Sequence, residues 1–120
     1  MHVNVKKERE LLDTLDAAEC LVDGPAVEQA VNALALFYVA SDEFSSAVPF
    51  WRRGAELLAL GTAPHSAEVA TYLHNMAATC LIPAGLLDEA HITLQKARAI
   101  YAVHFRDDAT CIKEIDKLLR

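Results

Sequence analysis

Apolar residues recur along this chain at steps of three and four. Leu11, Leu15 and Ala18 form one such run, and Val27, Val31, Leu34 and Tyr38 form another. That spacing keeps one face of an α-helix apolar, whereas the alternation that marks a half-buried strand is absent. Breaks separate the runs. Gly24-Pro25 is the first, with Asp23 or Gly24 as N-cap and Pro25 at the first helical position. Ser41-Asp42-Glu43 is a tight polar turn. The third break runs from Gly61 to Pro64 and is followed by Ser66, a residue type that caps helix N-termini. Pro83-Ala84-Gly85 is the fourth, and Arg106-Asp107-Asp108 the fifth, where an aspartate can cap the next helix. The pattern predicts six helices, at about 5–21, 25–40, 44–60, 66–82, 86–104 and 108–119.

The runs also repeat. At an offset of 42 residues, Val27, Val69 and Cys111 line up, as do Val31, Leu73 and Ile115, and Leu34, Met76 and Leu118; Ala35 meets Ala77. The following helices match at an offset of 43: Phe44 with Leu87, Ala47 with Ala90, Trp51 with Leu94, Gly54 with Ala97, and Leu57 with Ile100. The extra residue is expected near Leu81–Gly85, where Pro83 breaks the second copy. A period near 40 residues built from helix pairs is the pattern of a helical solenoid.

At these residues the chain resembles the tetratricopeptide repeat family, and more narrowly its 42-residue, kinesin-light-chain-like variety. Val31 to Tyr38, a turn, and Phe44 to Gly54 look like one repeat. Val69 to Ala77, then Gly85 to Ala90 and on to Lys96-Ala97, look like a second. Asp42 stands where the family usually turns on glycine, and Gly54 where it usually has alanine. The resemblance implies an all-α fold: a TPR-like right-handed solenoid of about six antiparallel helices in a single domain over 1–120. Residues 5–21 would be an N-terminal cap carrying Val5, Leu12 and Leu15. Residues 25–60 and 66–104 would be two full repeats, and 108–119 a partial third repeat or C-terminal cap. The stop at Arg120 fits either a cap or an array that continues.

Composition narrows the partners. The chain has 120 residues, 53% hydrophobic and 23% charged, with a net charge of −6. That is apolar enough for a substantial core. The acidic balance argues against nucleic acid and anionic membrane surfaces. No apolar run approaches the roughly 18 residues of a membrane span, and the polar stretch Met1–Glu10 does not read as a signal peptide. Three dispersed cysteines, Cys20, Cys80 and Cys111, suit reduced, small buried side chains in a cytoplasmic protein.

Candidate chemistry is sparse. His2, His65, His74, His91 and His104 show no metal-ligand spacing, so no metal and no cofactor is expected. Asp88-Glu89 and Asp107-Asp108 read as acids at helix starts rather than a catalytic pair. Arg52-Arg53 reads as a solvated spot and Trp51 as core. No catalytic constellation is present, and an enzyme is not expected. The resemblance implies binding of a peptide or partner protein in a concave groove lined by the inner helices. Projected there are Gln29, Asn32, Ala33, Leu36 and Val39; then Thr71, His74, Asn75, Ala78 and Leu81; then Lys113, Asp116, Lys117 and Arg120. The basic clamp by which some family members hold a chaperone's C-terminal carboxylate is incomplete, since Asn32, His74 and Asn75 stand in its place. The expected function is a protein–protein interaction scaffold, monomeric or weakly self-associating. The alternatives are a regulatory or peptide-sensing helical module and a self-assembling repeat domain.

Overall fold

A computed structural model describes residues 4–61 and 65–120, and among them every regular element is helical. His2 and the 62–64 part of the Gly61–Pro64 break lie outside the described residues. The elements are α1 (Val5–Cys20), α2 (Gly24–Ala40), α3 (Phe44–Gly61), α4 (Ala67–Met76) running on into a π-helical turn (Ala77–Leu81), α5 (Leu87–His104) and α6 (Thr110–Leu118). Contacts divide the chain into two compact units, Met1–Leu57 and Leu58–Arg120.

Side-chain caps set the starts of α1, α2 and α4. The Asn4 side chain accepts from the Lys7 amide at 3.0 Å, Asp23 from Ala26 at 3.1 Å, and Ser66 from Val69 at 3.3 Å. Each satisfies an amide that the first turn leaves without a helical partner. The last helix departs from expectation. Asp107 and Asp108 precede it in a turn closed by the Ala109 amide on the Arg106 carbonyl, and Ala109 is the N-cap without a side-chain bond. Pro49 stands inside α3, on its exposed side. The Ser45 carbonyl that loses its helical donor there can turn to water, so the helix continues.

In the first unit, α1 packs along α2. Val27, Ala30, Val31, Leu34, Ala35 and Tyr38 form the buried stripe of α2, and Ala47, Val48, Trp51 and Gly54 that of α3. The rings of Tyr38 and Phe50 stack 5.7 Å apart. From α1, Leu15 and Ala18 are buried and Leu12 is half-buried, whereas Val5 is exposed. Arg53 is not simply solvated: its Nη1 bonds the Glu19 carboxylate at 3.0 Å, tying α3 to α1.

Tyr38 donates its hydroxyl to Glu8 Oε2 at 2.6 Å. Burial first, then that bond and the charges of Glu8 and Glu43, push the Tyr38 phenol up from 10.0 to about 12. A raised folded value means that the contribution to stability is whole below pH 10 and is lost as pH climbs from about 10 to about 12. Tyr38→Phe is therefore expected to cost about 1.5–3 kcal/mol at neutral pH, the scale of a hydrogen bond to a charged group. Urea unfolding at pH 7 and pH 11 checks this. A variant that loses as much stability as the native chain between those pH values would refute the role of the phenol.

In the second unit, α4 and its π turn pack along α5, and α6 packs on α5. Val69, Ala70, Met76, Ala77, Cys80 and Leu81 face Ala90, Leu94, Ala97 and Ile100 in the buried set, joined by Ile112 and Ile115. Arg98 holds α6 through two bonds to Asp116, at 2.6 and 3.3 Å. That pairing keeps the Asp116 carboxyl below its ordinary value. Leu118, matched in sequence to the buried Leu34, is instead part-exposed.

Three helix ends share one turn. The Asp23 amide bonds the Ala18 carbonyl and Val22 bonds Glu19. Glu43 bonds Tyr38 and Asp42 bonds Val39. Leu86 bonds Leu81 and Gly85 bonds Ile82. This is the Schellman motif, whose penultimate residue takes a left-handed backbone. The φ values are 53° at Val22, 58° at Asp42 and 81° at Gly85.

The position of the extra residue is corrected by the same bonds. Turns 38–43 and 81–86 correspond pair by pair at an offset of 43, while Ala35 and Ala77 correspond at 42. The insertion therefore lies between Ala77 and Leu81. That is the π-helical turn, where the Ile82 amide reaches the Ala77 carbonyl at 3.0 Å. A single inserted residue in a helix is accommodated in this way.

Among the described residues, no helix is long and apolar enough to cross a membrane. None of the three cysteines forms a disulfide: Cys20 is exposed, Cys111 intermediate, and Cys80 buried. Only Cys80 thus serves as the small buried side chain expected of all three.

Candidate functional site

The burial pattern leaves one exposed or half-buried strip of mixed polar and apolar residues on α2 and another on α4 and its π turn. On α2, Gln29 and Leu36 are exposed, and Asn32, Ala33 and Val39 are half-buried. On α4, Thr71 and Asn75 are exposed, and His74 and Ala78 are half-buried. Positions three and four apart share a helix face, so each set forms a continuous strip opposite its buried stripe. The strips match at the 42-residue offset: Gln29 with Thr71, Asn32 with His74, Ala33 with Asn75, and Leu36 with Ala78.

The match ends at the π turn. Leu81, projected into the groove with Val39, is 0% exposed and belongs to the core. The physical reason is the inserted residue, which rotates everything after it by one position. Leu81 corresponds structurally to the buried Tyr38, not to Val39. At the same turn, Thr79 Oγ1 donates to the Asn75 carbonyl at 2.6 Å, supplying a partner to a carbonyl beside the disturbed ladder.

On α6, Lys113 and Lys117 are exposed one helical turn apart, and Arg120 is exposed beyond it. Asp116 is engaged with Arg98, so its charge is already answered within the unit.

Sequence reasoning missed the aromatic side of the second unit. Tyr101 and Phe105, near the end of α5, stand with ring centroids 5.9 Å apart. The His74 ring meets Tyr101 edge-on at 6.4 Å, and Thr71 Oγ1 lies 2.8 Å from the Tyr101 hydroxyl. Burial pushes the Tyr101 phenol up. Thr71 and His74 are thus anchored by an aromatic from another helix. No local pattern announces a contact between residues 30 apart; the one available signal was an aromatic pair, Tyr101 and Phe105, at a helix end. Beside them, His104 Nε2 bonds the His65 carbonyl at 2.7 Å, holding the end of α5 to the approach to α4. With Nε2 protonated, the imidazole is the donor.

A hollow of about 440 Å³ opens next to this cluster, lined by Ala67, Glu68, Thr71, Tyr101, Phe105 and Cys111. A second, of about 380 Å³, is lined by His65, Val69, Leu73, Lys96, Ala99 and Ile100. Among the described residues, no group of three or more His, Cys, Asp or Glu side chains is placed to hold a metal ion. No family model matches the chain, and no curated protein matches it.

Proposed function

We propose that the chain is a tetratricopeptide-type helical repeat, a right-handed solenoid in plan, that binds a peptide or partner protein on the exposed strips of its inner helices α2 and α4. One observation carries this reading. The turns that follow α2 and α4 with its π turn share the same two-bond pattern, and the buried residues around them correspond at 42 residues before the π turn and 43 after it. Two helices that end in the same turn, each with a strip left over at the same register, are what a repeated binding surface needs. Function remains a property of the strip and not of the fold, so the strip is what the experiment changes.

Asn32→Ala combined with His74→Ala removes one hydrogen-bonding group from each strip. In a pull-down from host lysate, the native chain is expected to retain a partner that the double variant releases, with circular dichroism showing both folded. Equal retention by the two chains would move the contact off these strips. A native chain that retains nothing, but whose apparent mass rises with concentration, would replace partner binding by self-assembly.

A further inference from the structure

We propose that the hollow between the start of α4, the end of α5 and the start of α6 receives a cationic side chain, a guanidinium or an ammonium, from a bound peptide. This deepens the partner-binding function proposed above and rests on it.

The hollow lies wholly within the second unit, and its walls are mostly apolar. Phe105 is 46% exposed, although it is a large aromatic. The chain turns extended at this residue, immediately after α5, which leaves the ring in the wall. Tyr101 is buried behind it, with the two rings tilted at 58°. An exposed aromatic ring at a partly open site, backed by a second, favours an apolar body or a cation, which is drawn to its face.

Hydrogen bonding decides between these. The single Thr71 hydroxyl proton is committed to the Ala67 carbonyl at 3.0 Å. The 2.8 Å bond between Thr71 and Tyr101 must then be donated by Tyr101. Both hydroxyl protons in the wall are spent internally. What faces the hollow is acceptor capacity: the remaining lone pairs of those oxygens and the Glu68 carboxylate. Cys111 adds at most a weak thiol donor. A ligand that needs hydrogen bonds here has to bring the protons itself.

Charge points the same way. Among the described lining residues Glu68 is the one charged side chain. The Glu114 charge also acts on Tyr101 from α6. The start of α4 would ordinarily attract an anion, but Glu68 already places a carboxylate in that first turn. A second anion would meet it as a like charge. A volume of about 440 Å³ is ample for one long basic side chain, whose methylenes would lie along Phe105 while its head meets Glu68.

The test uses the full chain, labelled with ¹⁵N, and two acetylated Gly/Ser hexapeptides. One carries a single central arginine, the other citrulline, which keeps the shape and loses the charge. The arginine peptide is expected to shift the amide resonances of Thr71, Tyr101, Phe105 and Cys111 saturably. It should bind about tenfold more tightly than the citrulline peptide, as expected for a cation over aromatic faces beside a carboxylate. Glu68→Gln should remove most of that difference, and Phe105→Ala should weaken the arginine peptide about fivefold. Equal affinity for the two peptides would overturn the proposal. So would shifts confined to α2, or no saturable shift at millimolar peptide. In the last two cases the lysate experiment above still decides independently whether the chain binds a partner.

Discussion

Replacing Leu81 with alanine is expected to destabilise the second unit by about 3 kcal/mol, within the range of about 2–5 measured for buried leucines. The expectation rests on position. Leu81 is 0% exposed and among the largest fully buried side chains, at the end of the π turn. Removing its branched end deletes apolar contact and leaves a cavity that a rigid hairpin cannot fully close. The control is Leu36→Ala, a residue of the exposed α2 strip that is 59% exposed. That change is expected to stay within about 0.5 kcal/mol. Urea unfolding of the two variants beside the native chain measures both. A Leu81 variant as stable as the Leu36 variant would mean that the 42-residue offset runs unbroken to the end of the helix. In that case Leu81 would belong to the exposed strip after all.

The second large effect is expected at the turns and runs in opposite directions. Val22 adopts φ 53° with a β-branched side chain that is 88% exposed. A left-handed backbone costs an ordinary residue about 1–2 kcal/mol, and branching at Cβ adds to the crowding. Exposure leaves little burial to offset that cost. Val22→Gly removes the strain but gives the unfolded chain more freedom, so the net gain is expected to be about 1 kcal/mol. In a domain of this size that raises Tm by roughly 4 °C. Gly85→Ala tests the same turn from the other side. Nothing lies within 4 Å of where its Cβ would stand, so any loss comes from the backbone at φ 81°. The loss is expected to be about 1–2 kcal/mol. Thermal melts of the two variants should therefore move apart. If both fall, Val22 makes a compensating contact in solution; if neither moves, the left-handed turns are not maintained.

The helices are legible in the sequence because their ends are written in local chemistry. Asp23 and Ser66 are side chains that accept from a first-turn amide, and a proline or glycine follows or precedes most ends. The pattern puts the α6 start too early because two aspartates resemble a cap, yet the turn closed by Ala109 on Arg106 consumes them. Comparing the two copies reveals that one residue has been added, but not where. Pro83 draws the insertion to itself, while Ala78, Thr79 and Cys80 carry no mark of a π turn; an extra residue there is a matter of hydrogen-bond pairing, which composition does not record. The exposed strips come from periodicity alone, since they are whatever the buried stripes leave over. The pairing of Thr71 with Tyr101, and of Arg53 with Glu19, depends on which helices lie side by side. Such contacts emerge only when the chain has folded.

The three thiols have a further consequence. Cys20 stands in solvent in the first unit, while Cys80 lies fully buried in the second, one residue from the Leu81 that the π turn brings into the core. A thiol reagent therefore meets one sulfur at once, and can reach the other only through an opening of the structure around it. Reaction of Cys80 is a clock on that opening. With Cys20 and Cys111 changed to serine, the rate at which Cys80 is labelled reports how often the second unit breathes under native conditions, without denaturant. The chain thus carries its own probe of local opening, set where the helix departs from its regular ladder.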